Sequence, residues 1–70
     1  MAADQNETTP VLKFEYVNWK SERAVRNIRP VKVWFGSTKW HPVEQWLLKA
    51  FDLDKQAERD FSLKEIVKFL

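Results

Sequence analysis

The sequence predicts an all-β fold, either a β-sandwich or a small β-barrel. Two segments, residues 12–16 and 58–63, alternate apolar and polar residues with the period of two of a half-buried strand. Polar and turn-forming residues separate the apolar segments at short intervals, and few stretches have helical spacing. The 70 residues suffice for one domain, and the absence of cysteine means that packing alone must stabilise it.

A polar segment precedes the first strand. Residues 1–10 have no apolar periodicity, so we expect a flexible tail there and a single domain over residues 11–70. In the first strand, Leu12, Phe14 and Tyr16 share one face. A polar connection at residues 18–23 leads to the next strand.

The second strand segment, residues 24–35, changes its alternation near Pro30. Ala24 and Ile28 share one face before the proline, whereas Val31, Val33 and Phe35 share the other face after it. Proline lacks the N–H of a ladder bond and is tolerated at bulges and edges. Pro30 therefore marks either the bend of one long strand or the junction of two short ones.

The remaining segments predict two more strands and a short helical turn. Gly36, the only glycine, begins a loop that ends at residue 44, and residues 45–51 are apolar on both faces at their start, as in a central strand. Residues 52–57 lack glycine, which predicts a hairpin loop longer than two residues. The alternating segment 58–63 is the fourth strand. At its end, Ser62 and Glu65 have capping-box spacing, so we expect one helical or 3₁₀ turn and then a short strand or frayed end.

The inward positions of this pattern predict one contiguous core. Its members are Phe14, Ile28, Val33, Trp46, Leu48, Phe61 and Ile66. We further expect Trp40, His41 and Pro42 to form an ordered lid packed on one end of the fold.

The composition argues against catalysis, metal binding and membrane insertion. His41 is the only histidine and no cysteine is present, so we expect no catalytic residue, no metal site and no cofactor. One glycine cannot build a phosphate-binding loop, and the acidic residues after position 51 lack the glycine and the spacing of a calcium loop. No apolar run approaches the ~20 residues that cross a bilayer, and no export signal is evident, so we expect a cytoplasmic protein.

Basic residues and tryptophans are interleaved in the middle of the chain. Six Lys and Arg residues lie from Lys20 to Lys39, with Glu22 as the only acid among them. Trp19, Trp34 and Trp40 either pack over the ends of the fold or serve as stacking platforms for the bases of a single-stranded nucleic acid. The spacing of Arg23, Arg26 and Arg29 puts Arg26 on the face opposite to the other two.

The stretch from Tyr16 to Ile66 resembles the WYL domain of bacterial regulators. The matching motifs are Tyr16, Arg26-Asn27-Ile28-Arg29-Pro30, Trp46-Leu47-Leu48 and Arg59-Asp60-Phe61-Ser62-Leu63-Lys64-Glu65-Ile66. Two positions depart from the family pattern: Leu47 stands at the tyrosine of Trp-Tyr-Leu, and Glu65 stands at an arginine.

The resemblance implies a five-stranded SH3-like or Sm-like barrel that binds nucleic acid or another negatively charged ligand. It also implies that Arg26 and Arg59 face the ligand and that Tyr16 supports them. Together with the basic run, it yields five candidate ligand-binding residues: Tyr16, Arg23, Arg26, Arg29 and Arg59. The alternative is an adaptor that contacts another protein through strand edges and the aromatic loop.

Overall fold

The computed structural model describes residues 10–70, which form one antiparallel five-stranded sheet and one 3₁₀ turn. The elements in chain order are β1 Leu12–Val17, β2 Arg23–Gly36, β3 Gln45–Asp52, β4 Ala57–Ser62, the 3₁₀ turn Leu63–Glu65 and β5 Ile66–Phe69. Their order across the sheet is β4-β3-β2-β1-β5. The predicted all-β class is therefore confirmed, as are the C-terminal turn and the short strand after it. Residues 1–9 of the predicted tail lie outside the described residues.

β2 is one long strand with a bulge at Val31. Its register against β3 passes from Pro30 directly to Lys32, which leaves Val31 without a partner. The extra residue shifts the alternation by one, so that Val33 faces the same side of the sheet as Ile28. The predicted break in alternation near Pro30 is thus confirmed, but the prediction that Val33 and Phe35 share the face opposite to Ile28 is wrong, because the bulge returns them to the face of Ile28.

The sheet curls until β1 packs against β4, although two strands separate them in the sheet. The Phe61 ring lies 5.4 Å from the Phe14 ring and 5.1 Å from the Tyr16 ring, both edge to face. The side that carries these rings is called the inner face, and the opposite side the outer face. The buried core consists of Phe14, Tyr16, Ile28, Leu48, Ala50 and Phe61, against which Leu12, Leu63 and Ile66 pack.

Two of the predicted core residues, Val33 and Trp46, are exposed. Val33 retains 53% of its accessible surface and Trp46 retains 56%. Both are on the inner face, but β1 pairs with β2 only as far as Ile28 and ends before their position. Burial needs a second layer, and the end of the β2–β3 hairpin extends past it. Tyr16, Leu47 and Ala50, which the predicted core lacks, are buried instead.

β4 and β5 are the two edges of the sheet. They do not pair with each other, so residues 10–70 do not close into a barrel by strand pairing. The 3₁₀ turn leads directly from one edge to the other. Beside it, the Ser62 N–H of β4 donates a hydrogen bond of 2.9 Å to the Tyr16 hydroxyl of β1. This side-chain bond ties the β4 edge to β1, the neighbour of the other edge strand β5.

Candidate ligand-binding cleft

An open cleft of about 940 Å³ follows the outer edge of β4. Its walls come from the β1–β2 turn, the β2–β3 loop and the 3₁₀ turn, and Tyr16 lies at its base. A volume of this size is within the range of roughly 300–1,000 Å³ that small-ligand sites occupy. Four of the predicted site residues line the cleft, namely Tyr16, Trp19, Trp40 and Arg59.

Trp19 contributes one wall because the side chain of Asn18 holds the β1–β2 turn. The Asn18 Oδ1 accepts hydrogen bonds from the backbone N–H groups of Lys20 at 2.9 Å and Glu22 at 3.0 Å. Ser21 completes the turn with a left-handed φ of 64°. Trp19 is 86% exposed, and the Lys20 Nζ lies 5.2 Å from its ring centroid. The turn therefore presents an exposed ring beside a cation.

Trp40 contributes a second wall from a loop that is closed on itself. Thr38 and His41 exchange backbone hydrogen bonds of 2.9 and 3.2 Å, and the Thr38 Oγ1 accepts from the N–H groups of Trp40 and His41. Trp40 is 80% exposed, with the Lys39 Nζ 5.7 Å from its ring centroid. The predicted lid is wrong for Trp40 and Pro42, which are both exposed, because the hydrogen bonds order the loop without packing its ring on the sheet.

The Tyr16 hydroxyl stands at the base of the cleft. Burial raises the pKa of Tyr16 above its usual value of 10.0, and the hydrogen bond from Ser62 N–H opposes this rise. The Glu65 carboxylate raises the pKa further, whereas the positive charges of Arg59 and Arg26 lower it. The net direction is upward, so the hydroxyl is protonated at neutral pH.

Arg59 lies on the inner face at the edge of the cleft. Its Nη1 is 3.5 Å from Oδ2 of the fully buried Asp52, and its guanidinium carbon is 5.3 Å from the Phe61 ring centroid. The other oxygen of Asp52 accepts from the backbone N–H groups of Asp54 at 3.0 Å and Lys55 at 3.1 Å. Because its side chain remains 39% exposed, Arg59 is anchored on one side and accessible on the other.

Arg26 is on the inner face but not in the lining of the cleft. It is the direct partner of Phe14 across the β1–β2 ladder, and directly opposite residues share a face. Its Nε is buried and has no hydrogen-bond partner within residues 10–70. The positive charges of Arg26 in β2 and Arg59 in β4, the two arginines that the resemblance singles out, both lower the pKa of Tyr16.

The other two arginines of the predicted set are on the outer face. The registers of β2 place Arg23 and Arg29 there and Arg26 on the inner face, as their spacing predicts. On that outer face, the Arg23 Nη1 lies 3.5 Å from a Glu15 carboxylate oxygen. The sheet therefore separates the three arginines, and one small ligand cannot contact all of them.

Trp34 has a packing role on the outer face. Its Nε1–H donates to Asp60 at 2.9 Å, and Lys49 approaches the same carboxylate at 3.6 Å. The ring lies so close to Gly36 that a Cβ there would collide with it. Leu47, the direct cross-strand partner of Trp34 on this face, is completely buried. Of the two interpretations of Trp34, the geometry favours packing.

The β4 edge also offers backbone groups to the cleft. Successive N–H groups of a strand point to opposite sides, and the Ser62 N–H points away from β3 toward Tyr16. The N–H groups of Asp60 and Glu58 therefore point outward as well. Sequence reasoning missed this edge, since the strand order decides which strand is terminal.

The ionic side chains of the cleft are mixed in sign. The positively charged residues are Lys39, Arg59 and Lys64, and the negatively charged residues are Glu58, Asp60 and Glu65. The Asp60 carboxylate is held by Trp34 and Lys49. The sequence did not predict Lys64 or Glu65 as site residues, although Glu65 is one of the two positions that depart from the WYL pattern.

No protein-family model and no curated protein matches the sequence of this chain.

Within residues 10–70, no three His, Cys, Asp or Glu side chains are grouped so that they could hold a metal ion. The same part of the chain contains no helix with the length and hydropathy of a membrane span.

Proposed function

We propose that this protein is a non-enzymatic cytoplasmic module that binds short single-stranded nucleic acid, or a similar anionic ligand, in the cleft between Trp19 and Trp40. The observation that carries the proposal is the pair of exposed rings. Trp19 and Trp40 are 86% and 80% exposed, belong to the walls of one cleft, and each has a lysine ammonium within 6 Å. Bases stack on such rings while neighbouring cations contact the phosphates.

The charges near the rings support phosphate contacts. Lys20 and Lys39 lie over the rings themselves, and Arg59 and Lys64 line the cleft between the walls. Because Asp52 already neutralises part of the Arg59 charge, we expect two or three effective phosphate contacts and weak binding. The affinity should then fall with salt concentration at a slope of about −0.7 per contact.

We further propose that the fold is a WYL-like variant of the SH3/Sm-type barrel. The curled five-stranded sheet and the 3₁₀ turn before the last strand support this relation. In this variant, the 3₁₀ turn connects the two edge strands, and the Tyr16–Ser62 bond joins β4 to β1. A regulatory role follows from the resemblance as part of the same proposal.

The test is a fluorescence anisotropy titration with a labelled ten-nucleotide dT strand at two salt concentrations. Replacing one ring, as in Trp19→Ala or Trp40→Ala, should weaken binding by about tenfold, because stacking contributes roughly 1–3 kcal/mol per base. Trp46→Ala is the matched control, since Trp46 is also exposed but lies outside the cleft. No binding at low salt, or equal affinity in all three variants, contradicts the proposal.

A lysine pair separates specific phosphate contacts from general positive charge. Lys64 lines the cleft, whereas Lys32 is exposed on the outer face opposite Lys49. Lys64→Ala should reduce the salt slope by about 0.7, and Lys32→Ala should leave it unchanged. Equal effects of the two changes would show that net charge alone attracts the strand.

The runner-up function, a protein-binding adaptor, is favoured by one specific observation. The outward N–H groups of the β4 edge could pair with an extended peptide, which is a common mode of peptide recognition. Under that alternative, the dT strand does not bind at any salt concentration, and a bound peptide protects the amides of Glu58 and Asp60 from hydrogen exchange.

A further inference from the structure

We propose that the cleft selects guanine among the four bases, with Glu65 and Tyr16 reading the edge of the base. This inference rests on the proposed binding of single-stranded nucleic acid and adds a base preference to it. It depends on one juxtaposition: the Tyr16 hydroxyl and the Glu65 carboxylate line the same cleft, and Glu65 immediately precedes the cross-strand partner of Tyr16.

The backbone places the two groups together. Tyr16 of β1 is the direct partner of Ile66 at the start of β5, and Glu65 immediately precedes Ile66. Both residues line the cleft, and the Glu65 charge acts on the Tyr16 hydroxyl. Trp19 and Trp40 line the same cleft, and in the proposed complex a base stacked on one of these rings turns its pairing edge toward this pair.

Tyr16 is a donor toward the cleft. Its oxygen already accepts a hydrogen bond from Ser62 N–H, and its own O–H proton has no acceptor within the described part of the chain. The hydroxyl is protonated at neutral pH, because even the usual tyrosine pKa of 10.0 lies far above it and burial raises the pKa of Tyr16 further. A carbonyl oxygen of a bound base is a suitable acceptor for this proton.

Glu65 is the acceptor of the pair. Its carboxylate makes no hydrogen bond or ion pair with residues 10–70, although it is partly buried. The other carboxylates of the cleft are less suitable: Asp60 is held by Trp34, and Glu58 is exposed. A carboxylate has two oxygens and can accept two parallel hydrogen bonds from one partner.

Among the bases, only guanine presents two adjacent donors followed by a carbonyl on its pairing edge. Its N1–H and N2–H groups match the two oxygens of Glu65, and its O6 matches the hydroxyl of Tyr16. Adenine and cytosine have an unprotonated ring nitrogen beside their amino group, and thymine has a carbonyl on each side of N3–H. In each case a hydrogen-bond acceptor of the base would face an oxygen of the carboxylate, which disfavours binding. Pairing edges are accessible in single strands, where such recognition usually takes place.

The experiment uses five-nucleotide strands of dT in which the central position is dT, dA, dC, dG or deoxyinosine. Isothermal titration calorimetry or a fluorescence titration of the wild-type protein should give about tenfold tighter binding for the strand with central dG than for the strand with central dT. This is the discrimination expected of a bidentate contact. Deoxyinosine retains N1–H but lacks the N2 amino group, so its affinity should be intermediate. A single guanine in a dT background also avoids self-association of guanine runs.

Two matched variants assign the preference to its residue. Glu65→Gln replaces one acceptor by a donor, so the ratio of dG to dT affinity should fall to about one while dT binding persists. Glu58→Gln removes an equal charge from the same cleft and should leave the ratio unchanged. Amide spectra of both variants check that they remain folded.

The outcomes separate the two levels of the proposal. Equal binding of all five strands, or a guanine preference that survives Glu65→Gln, overturns the base preference and leaves the proposed function intact. No binding of any strand at low salt overturns both. A preference that Glu65→Gln abolishes and Glu58→Gln retains supports the assignment.

Discussion

Phe61 and Trp46 provide a matched test of where the core ends. Phe61 is 1% exposed and contacts the rings of Phe14 and Tyr16. Trp46 is 56% exposed, and its ring centroid lies 5.4 Å from that of Phe35. Phe61→Ala removes a buried ring and leaves a cavity, which should lower the free energy of unfolding by about 3–5 kcal/mol. Total stability at this length is roughly 4–10 kcal/mol, so the loss is a large share.

The expected loss for Trp46→Ala is smaller because less than half of this residue is covered. Roughly 100 Å² of covered ring at about 25 cal/mol per Å² amounts to about 2.5 kcal/mol as an upper value, and no closed cavity forms. The ring that Trp46 contacts, Phe35, is itself exposed. We therefore expect a loss of about 2 kcal/mol or less.

The assay is urea unfolding followed by far-ultraviolet circular dichroism. With a slope of about 1 kcal/mol per molar urea for a domain of this size, Phe61→Ala should move the midpoint by about 3 M or more. If that variant is unfolded without urea, Phe61→Leu supplies a measurable loss of about 1 kcal/mol. An unchanged midpoint for Phe61→Ala, or a larger loss for Trp46→Ala, refutes the account of the core.

Four further predictions concern single residues. Tyr16→Phe leaves the buried Ser62 N–H without its acceptor and should cost about 1–3 kcal/mol in urea unfolding at pH 7; an unchanged midpoint contradicts this. Because the folded pKa of Tyr16 is raised, the wild-type protein should also lose stability as the pH rises above 10.0, and Tyr16→Phe should lack that loss. Gly36→Ala should displace the Trp34 ring and accelerate hydrogen exchange of its indole N–H, whereas wild-type exchange contradicts the packing described for that ring. Asp52→Ala removes the acceptor of two turn N–H groups and should cost about 2 kcal/mol or more in the same unfolding assay, so a loss below 0.5 kcal/mol argues against its role.

Local pattern predicted the strands and their faces, because side-chain alternation depends only on the neighbouring residues. The break in alternation near Pro30 and the separation of Arg26 from Arg23 and Arg29 follow from this pattern. Exposure of Trp46 could not be predicted in this way. It depends on how far β1 extends over the β2–β3 hairpin, which is set by pairing between distant segments.

The cleft shows the same division between local and distant information. The exposed positions of Trp19 and Trp40 follow from turn and loop residues close to them in sequence, such as Asn18 and Thr38. The Trp34 bond to Asp60 and the Tyr16 bond to Ser62 join residues far apart in the chain, and no sequence signal indicates them. These distant bonds place Trp34 outside the cleft and Tyr16 at its base.

The central claim is that Trp19 and Trp40 form the contact surface for a single-stranded nucleic acid. The most direct measurement is the ¹⁵N–¹H spectrum of the tryptophan indoles during titration with a five-nucleotide dT strand at low salt. Contact of the strand with Trp19 and Trp40 should produce the largest chemical-shift changes at their indole signals. The indole signal of Trp46, which lies outside the cleft, should not move. Unmoved Trp19 and Trp40 signals at saturating strand, or shifts confined to Trp46, would contradict the claim.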